Sequence, residues 1–110
     1  MPNAFNPHKT NPTTEYPQAW DRATQVKLLV LDVDGVLTNG QVWIGADGKE
    51  SLKAFDIQDG LGIKLLEQCG ISTAIITGRN SKMVLARCEE LGIKHVHMGV
   101  ENKAVALDQI

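Results

Sequence analysis

Three short apolar runs punctuate the chain: "VKLLVLDV" (26–33), "ISTAIIT" (71–77) and "IKHVHMG" (93–99). Runs of this length, rich in Val, Ile and Leu, predict strands, the first of them buried on both faces. Between them, "DGLGIKLLEQCG" predicts a helix that begins near Asp59 and stops at Gly70. "SKMVLARCEELG" predicts a second, capped by Ser81 and stopped at Gly92, and "ENKAVALDQI" starts a third. Met83, Val84 and Leu85 read as helix filling. Strand and helix alternating across short connections specify an α/β fold, a parallel sheet with helices on its faces. The first connection departs from that rhythm. In "TNGQVWIGADGKESLKAFD", residues 41–45 and 50–55 flank Ala46-Asp47-Gly48-Lys49, which predicts a β-hairpin. The spacing of Asp47, Lys49 and Ser51 does not make a calcium loop, because the acidic series and its closing Glu are absent.

Residues 1–17 hold all four prolines and almost nothing to bury, which predicts a disordered tail before a single domain over 18–110. Trp20, in a helical turn or two, is placed to dock on the body. The whole chain has 110 residues, 43% apolar and 22% charged, as expected of one modest globular domain. Its net charge of −2 and scattered basic residues argue against nucleic acid or an anionic membrane surface as partner. The N-terminal segment has no apolar core for a signal peptide or membrane span, so the cytoplasm is the expected location. Cys69 and Cys88 show no metal-binding spacing and suit a reducing compartment. His95 and His97 share one face of a short strand, where a packed or surface pair is favoured over a metal site lacking a third ligand.

The chemistry concentrates where "LLVLDVDGVLTNG" ends. Two carboxylates two residues apart close a buried run, and burying charge is costly without a compensating partner. Ligand sites in open α/β sheets lie beyond the carboxyl ends of the strands. Asp32 and Asp34 occupy that end of the first strand, and Thr77, Gly78 and Arg79 that end of the second. Lys103, just past the third, opens a helix whose amides point the same way. The acids suit a hard cation bound through oxygen, most naturally Mg²⁺, while the hydroxyl, amides and lysine suit phosphate oxygens. A carboxylate beside Mg²⁺ can attack phosphorus, because the metal offsets the charge that would repel it.

"DVDGVLT", "ITGR" and the downstream Lys resemble motifs I, II and III of the haloacid dehalogenase superfamily. "DVDGVLTNGQVWIGADGKESLKAFDIQDGLGIKLL", "AIITGRNS" and "ELGIKHVHMG" together resemble the 3-deoxy-D-manno-octulosonate 8-phosphate phosphatases across residues 20–110. The resemblance implies a Rossmann-like haloacid dehalogenase sheet with a protruding hairpin, and a Mg²⁺-dependent phosphatase of lipopolysaccharide sugar synthesis. Asp32 would be the nucleophile and a metal ligand. Asp34 would be the general acid and then base, its backbone carbonyl also on the metal. Thr77 and Lys103 would hold the transferring phosphoryl group. Asp56, Ile57, Gln58, Asp59 and Gly60, with Lys64, Gly78, Arg79 and Arg87, would meet the sugar-acid phosphate. Relatives often carry Arg where this chain has Gln58, which weakens anion recognition there. The resemblance also implies a homotetramer joined through the 41–55 hairpin, burying Trp43, Ile44, Leu52 and Phe55 between subunits; the alternative is a hairpin folded over its own domain. A fourth, acidic motif of the superfamily would begin after Ile110, so the C-terminal part of the fold is expected to be missing. Two other readings stay open: an inactive fragment or assembly module, and a phosphatase of a nine-carbon sugar-acid 9-phosphate.

Overall fold

The computed structural model describes residues 17–110, so all but the last residue of the tail expected for 1–17 lies outside the described residues. Among the described residues the elements run in the order α1 (Pro17–Ala23), β1 (Leu28–Leu31), β2 (Trp43–Ile44), β3 (Glu50–Leu52), α2 (Ile57–Gln68), β4 (Ser72–Ile76), α3 (Lys82–Leu91), β5 (His95–His97) and α4 (Lys103–Asp108). Trp20 on α1 is exposed rather than docked. Strands β1, β4 and β5 form a parallel sheet in the order β1-β4-β5, with Leu28 opposite Ser72 and Ala74 opposite His95. Strands β2 and β3 pair separately as the antiparallel hairpin. The α/β fold with an inserted hairpin is therefore as the sequence implies.

Central β4 carries the deepest burial: Ala74 and Ile75 are fully enclosed and Ile76 nearly so. Ile75 packs in a core with Val33, Val84 and Cys88, flanked by Leu31, Leu37, Phe55, Ile93, Val96 and Met98. Strand β1 departs from the expectation of burial on both faces, since Leu28, Leu29 and Leu31 are half-buried and Val30 is 37% exposed. Its neighbour among the described residues is β4 alone, so its other edge has no strand to shield it.

Local signals explain the boundaries. Helix α2 begins at Ile57 rather than near Asp59, because the Asp56 carboxylate accepts from the Gln58 N–H and caps the first turn. Ser81 caps α3 by accepting from the Val84 N–H, and left-handed Gly92 (φ 74°) closes it. Helices α2 and α3 meet at Gly60, where a Cβ would lie 2.5 Å from Arg87 Nη2 and 3.0 Å from Leu91 Cδ2. A side chain at Gly60 would push aside the Arg87 guanidinium, which donates to the Asp56 carbonyl.

The hairpin strands are shorter than expected, and an irregular register between Trp43 and Ile44 breaks their ladder. Trp43, Ile44 and Leu52 point into solvent. Phe55 differs from the expectation that it joins them: it packs on its own core beneath the Arg87 guanidinium, 5.8 Å from the ring centre. Both cysteines are free, Cys69 exposed and Cys88 buried. Burial pushes the Cys88 thiol above its ordinary pKa, against a smaller opposing pull from Arg87.

Candidate functional site at the carboxyl ends of the strands

Parallel pairing puts the carboxyl ends of β1, β4 and β5 on one side of the sheet. After β1 the chain turns sharply: the Val36, Leu37 and Thr38 amides all donate to the Val33 carbonyl. Gly35 takes φ 81°, a left-handed conformation that a side chain would strain. Its N–H and that of Gly40 both donate to Thr38 Oγ1 at 3.2 Å, which fixes the loop. Asp32 and Asp34 stand at its base.

Each carboxylate meets cations from elsewhere in the chain. Lys103 Nζ lies 3.1 Å from Asp32 Oδ2, although 71 residues separate them in sequence. The lysine is aimed there by α4, whose first turn is capped by Asn102 accepting from the Ala104 and Val105 amides. Asp32 Oδ1 accepts from the Val33 N–H at 2.8 Å. Asp34 is held from two sides, with Lys53 Nζ 2.6 Å from Oδ1 and Arg79 Nε 3.4 Å from Oδ2. Thr77 is buried; its N–H donates to the His97 carbonyl and its carbonyl accepts from Val100. Its hydroxyl oxygen accepts from the Arg79 N–H at 3.4 Å. Gly78 follows, where a Cβ would come within 3.6 Å of the Val100 carbonyl.

Burial raises the tendency of Asp32 to protonate, but the Val33 amide and the Lys103 ammonium outweigh it and hold the carboxyl below the ordinary carboxylate range. A depressed folded pKa stabilises the fold above the unfolded value; that contribution disappears as pH falls through the folded value. In metal-free Lys103→Met, the Asp32 carboxyl is expected to titrate at higher pH than in wild type. Carbonyl ¹³C NMR measures this, and an unmoved midpoint would show that the lysine does not act on Asp32.

The other sequence-predicted residues separate into groups. Asp56 and Asp59 line a cleft of about 350 Å³ with Val36, Leu37, Thr38, Asn39, Ala54 and Phe55, beside the carboxylate loop. Ile57 and Gln58 are exposed on the first turn of α2, and Gly60 is buried against α3. Arg87 is engaged structurally: it donates to the Asp56 carbonyl at 3.3 Å and pairs with Glu90 at 2.6 Å. Lys64 lies with Glu67, Gln68, Glu89 and Glu90 in a separate shallow depression. Sequence reasoning missed Lys53. A lysine just past a short strand carries no local sign that it meets Asp34, 19 residues earlier in the chain.

Among the described residues no cluster of three or more His, Cys, Asp or Glu side chains could hold a metal ion, the His95–His97 face included. The donors at the strand ends are all oxygen, and both Asp34 carboxylate oxygens are already paired with cations. The remaining set, the Asp32 carboxylate and the Asp34 backbone carbonyl, fits Mg²⁺, which keeps several waters and takes one or two protein ligands with substrate phosphate. Among the described residues no helix is long and apolar enough to cross a membrane.

No protein-family model matches the chain. It is 45% identical over 94 residues to the 3-deoxy-D-manno-octulosonate 8-phosphate phosphatase KdsC of Salmonella typhimurium, covering 86% of this chain and 50% of that protein. The phosphatase of that name from Moraxella catarrhalis, solved with magnesium, phosphate and 3-deoxy-D-manno-octulosonate (KDO), superposes with a TM-score of 0.79 at 46% identity; the match covers 86% of this chain and 53% of that one. The cobalt-bound enzyme of Haemophilus influenzae gives a TM-score of 0.73 at 42% identity over 76% of this chain and 48% of that one. The chain spans about half the length of the curated relatives it matches.

Proposed function

The chain belongs to the 3-deoxy-D-manno-octulosonate 8-phosphate phosphatase family of the haloacid dehalogenase superfamily, and on that premise we propose that it carries the catalytic half-site for Mg²⁺-dependent hydrolysis of the 8-phosphate to free sugar acid and phosphate. The observation that supports this reading most is the meeting of Lys103 and Asp32 across the strand ends.

Asp32 attacks phosphorus, forming an aspartyl-phosphate as the bond to the sugar oxygen breaks. Asp34, in its acid form, gives a proton to that leaving oxygen. As a carboxylate it then takes a proton from water, which attacks the aspartyl-phosphate and releases phosphate with Asp32 restored. The Thr77 hydroxyl and Lys103 ammonium hold the phosphoryl oxygens and offset their charge. Mg²⁺, held by the Asp32 carboxylate and the Asp34 carbonyl, supplies further neutralisation of that charge when bound. Arg79 meets the sugar acid's carboxylate, and the sugar lies along the cleft lined by Asp56 and Asp59. The outward apolar face of Trp43, Ile44 and Leu52 supports a homotetramer in which hairpins pair, since an isolated two-stranded hairpin is marginal in water.

The deciding experiment measures phosphate release from 3-deoxy-D-manno-octulosonate 8-phosphate and from a nine-carbon sugar-acid 9-phosphate. Faster release from the eight-carbon substrate is expected, abolished by EDTA and restored by Mg²⁺. Preference for the nine-carbon compound overturns the substrate assignment. No release from either, with no heat of Mg²⁺ binding, overturns the enzyme reading in favour of an assembly module.

A further inference from the structure

Lys53 follows the last residue of β3, at the base of the hairpin, and its side chain is 0% exposed. A lysine hidden to that degree pays several kcal/mol in lost hydration unless carboxylates surround it. Two do: Asp34 Oδ1 at 2.6 Å and Glu50, three residues back on β3. Both hydrogen bonding and charge from these acids favour the ammonium over the neutral amine, against the opposing effect of burial. Asp34 is 26% exposed and has a second cation, Arg79, on its other oxygen. The hairpin, exposed along Trp43, Ile44 and Leu52, is thus fastened at its base to a carboxylate 19 residues earlier in the chain.

We propose that Lys53 is the positioning residue of Asp34, one buried strut that sets the orientation of this carboxylate and seats the hairpin beside the strand ends. The strut itself rests on geometry alone; its effect on turnover rests on the phosphatase reading. Two cations on opposite oxygens define the plane of the Asp34 carboxylate. Removing the ammonium leaves Arg79 as its one cation among the described residues and frees Oδ1 to rotate, while Glu50 loses its Lys53 partner. Hairpin and carboxylate then loosen together, because the same contact restrains both.

Hydrogen exchange of the 43–52 segment, read against β4 as an internal reference for global folding, tests the strut without requiring turnover. Lys53→Met and Asp34→Asn are each expected to speed exchange in the hairpin, and the double variant no further than the faster single, since residues sharing one contact are not additive. Lys53→Arg, which keeps the charge, is expected to recover much of the protection. Unchanged hairpin exchange in Asp34→Asn, or additive effects, would overturn the proposal. Faster exchange in β4 as well would mark a general loss of structure, and Lys53→Arg and Asp34→Asn then decide the matter. With the wild type active, Lys53→Met is expected to lower kcat by about 10- to 100-fold with KM little changed. An unaltered kcat, or a change confined to KM, refutes the positioning role. An inactive wild type refutes the phosphatase reading and leaves the exchange experiment to judge the strut.

Discussion

Asp32→Asn is expected to lower phosphate release by about four orders of magnitude or more, on the scale seen when a nucleophile is removed from a cooperating catalytic set. The substitution preserves size and shape. The amide oxygen still accepts from the Val33 N–H, now 2.8 Å from Oδ1. It removes the anion that would attack phosphorus and the charge partner of Lys103, 3.1 Å away. Loss of a partly exposed ion pair costs the fold little, so the effect falls on chemistry rather than folding. Rapid-quench detection of a phosphorylated protein separates the two: wild type labels and Asp32→Asn does not, while their urea midpoints stay close. Phosphate release persisting in the variant near the wild-type rate would rule out an aspartyl-phosphate at this position.

Ile75→Ala is expected to destabilise the domain by about 2–5 kcal/mol, the range for truncating a fully buried aliphatic side chain. Ile75 is 0% exposed, lies in the middle strand, and touches the cluster of Val33, Val84 and Cys88 that joins the sheet to α3. A domain of this size has only about 5–15 kcal/mol in total, so the loss is a large fraction of its stability. Ile75→Val should cost about 0.5–1.5 kcal/mol at the same site. Equilibrium urea unfolding measures both. A loss below about 1 kcal/mol for the alanine variant, relative to the spread of core truncations, would mean that the core is centred elsewhere.

The sheet was legible because its signals are local. "ISTAIIT" is apolar enough to be a strand on any neighbours, and Ser81 and Gly92 mark a helix through caps that depend on adjacent residues alone. The meeting of Lys103 with Asp32 was also legible, since strand polarity delivers both to one side. What escaped was set by neighbours distant in sequence. The exposure of Val30 depends on which strands flank β1, and its composition carries no trace of that. Phe55 was grouped with the hairpin residues expected between subunits, yet Arg87 and the core claim it. Arg87 and Lys64 show the same limit: a charge on a helix carries no sign of whether it faces Glu90 or a ligand. Lys53 was hidden in plain sight, its importance emerging only once the acid beside it was known.

Helices α2 and α3 both end on glycines with positive φ, Gly70 at 84° and Gly92 at 74°, and both return the chain to the amino ends of strands. Every proposed reacting group sits at the opposite pole. A side chain at either turn would strain the backbone and act on stability at a distance from the chemistry, whereas a change in the loops after β1, β4 or β5 reaches the proposed site directly. The molecule is arranged so that robustness and activity are tuned from opposite ends, each by its own set of mutations.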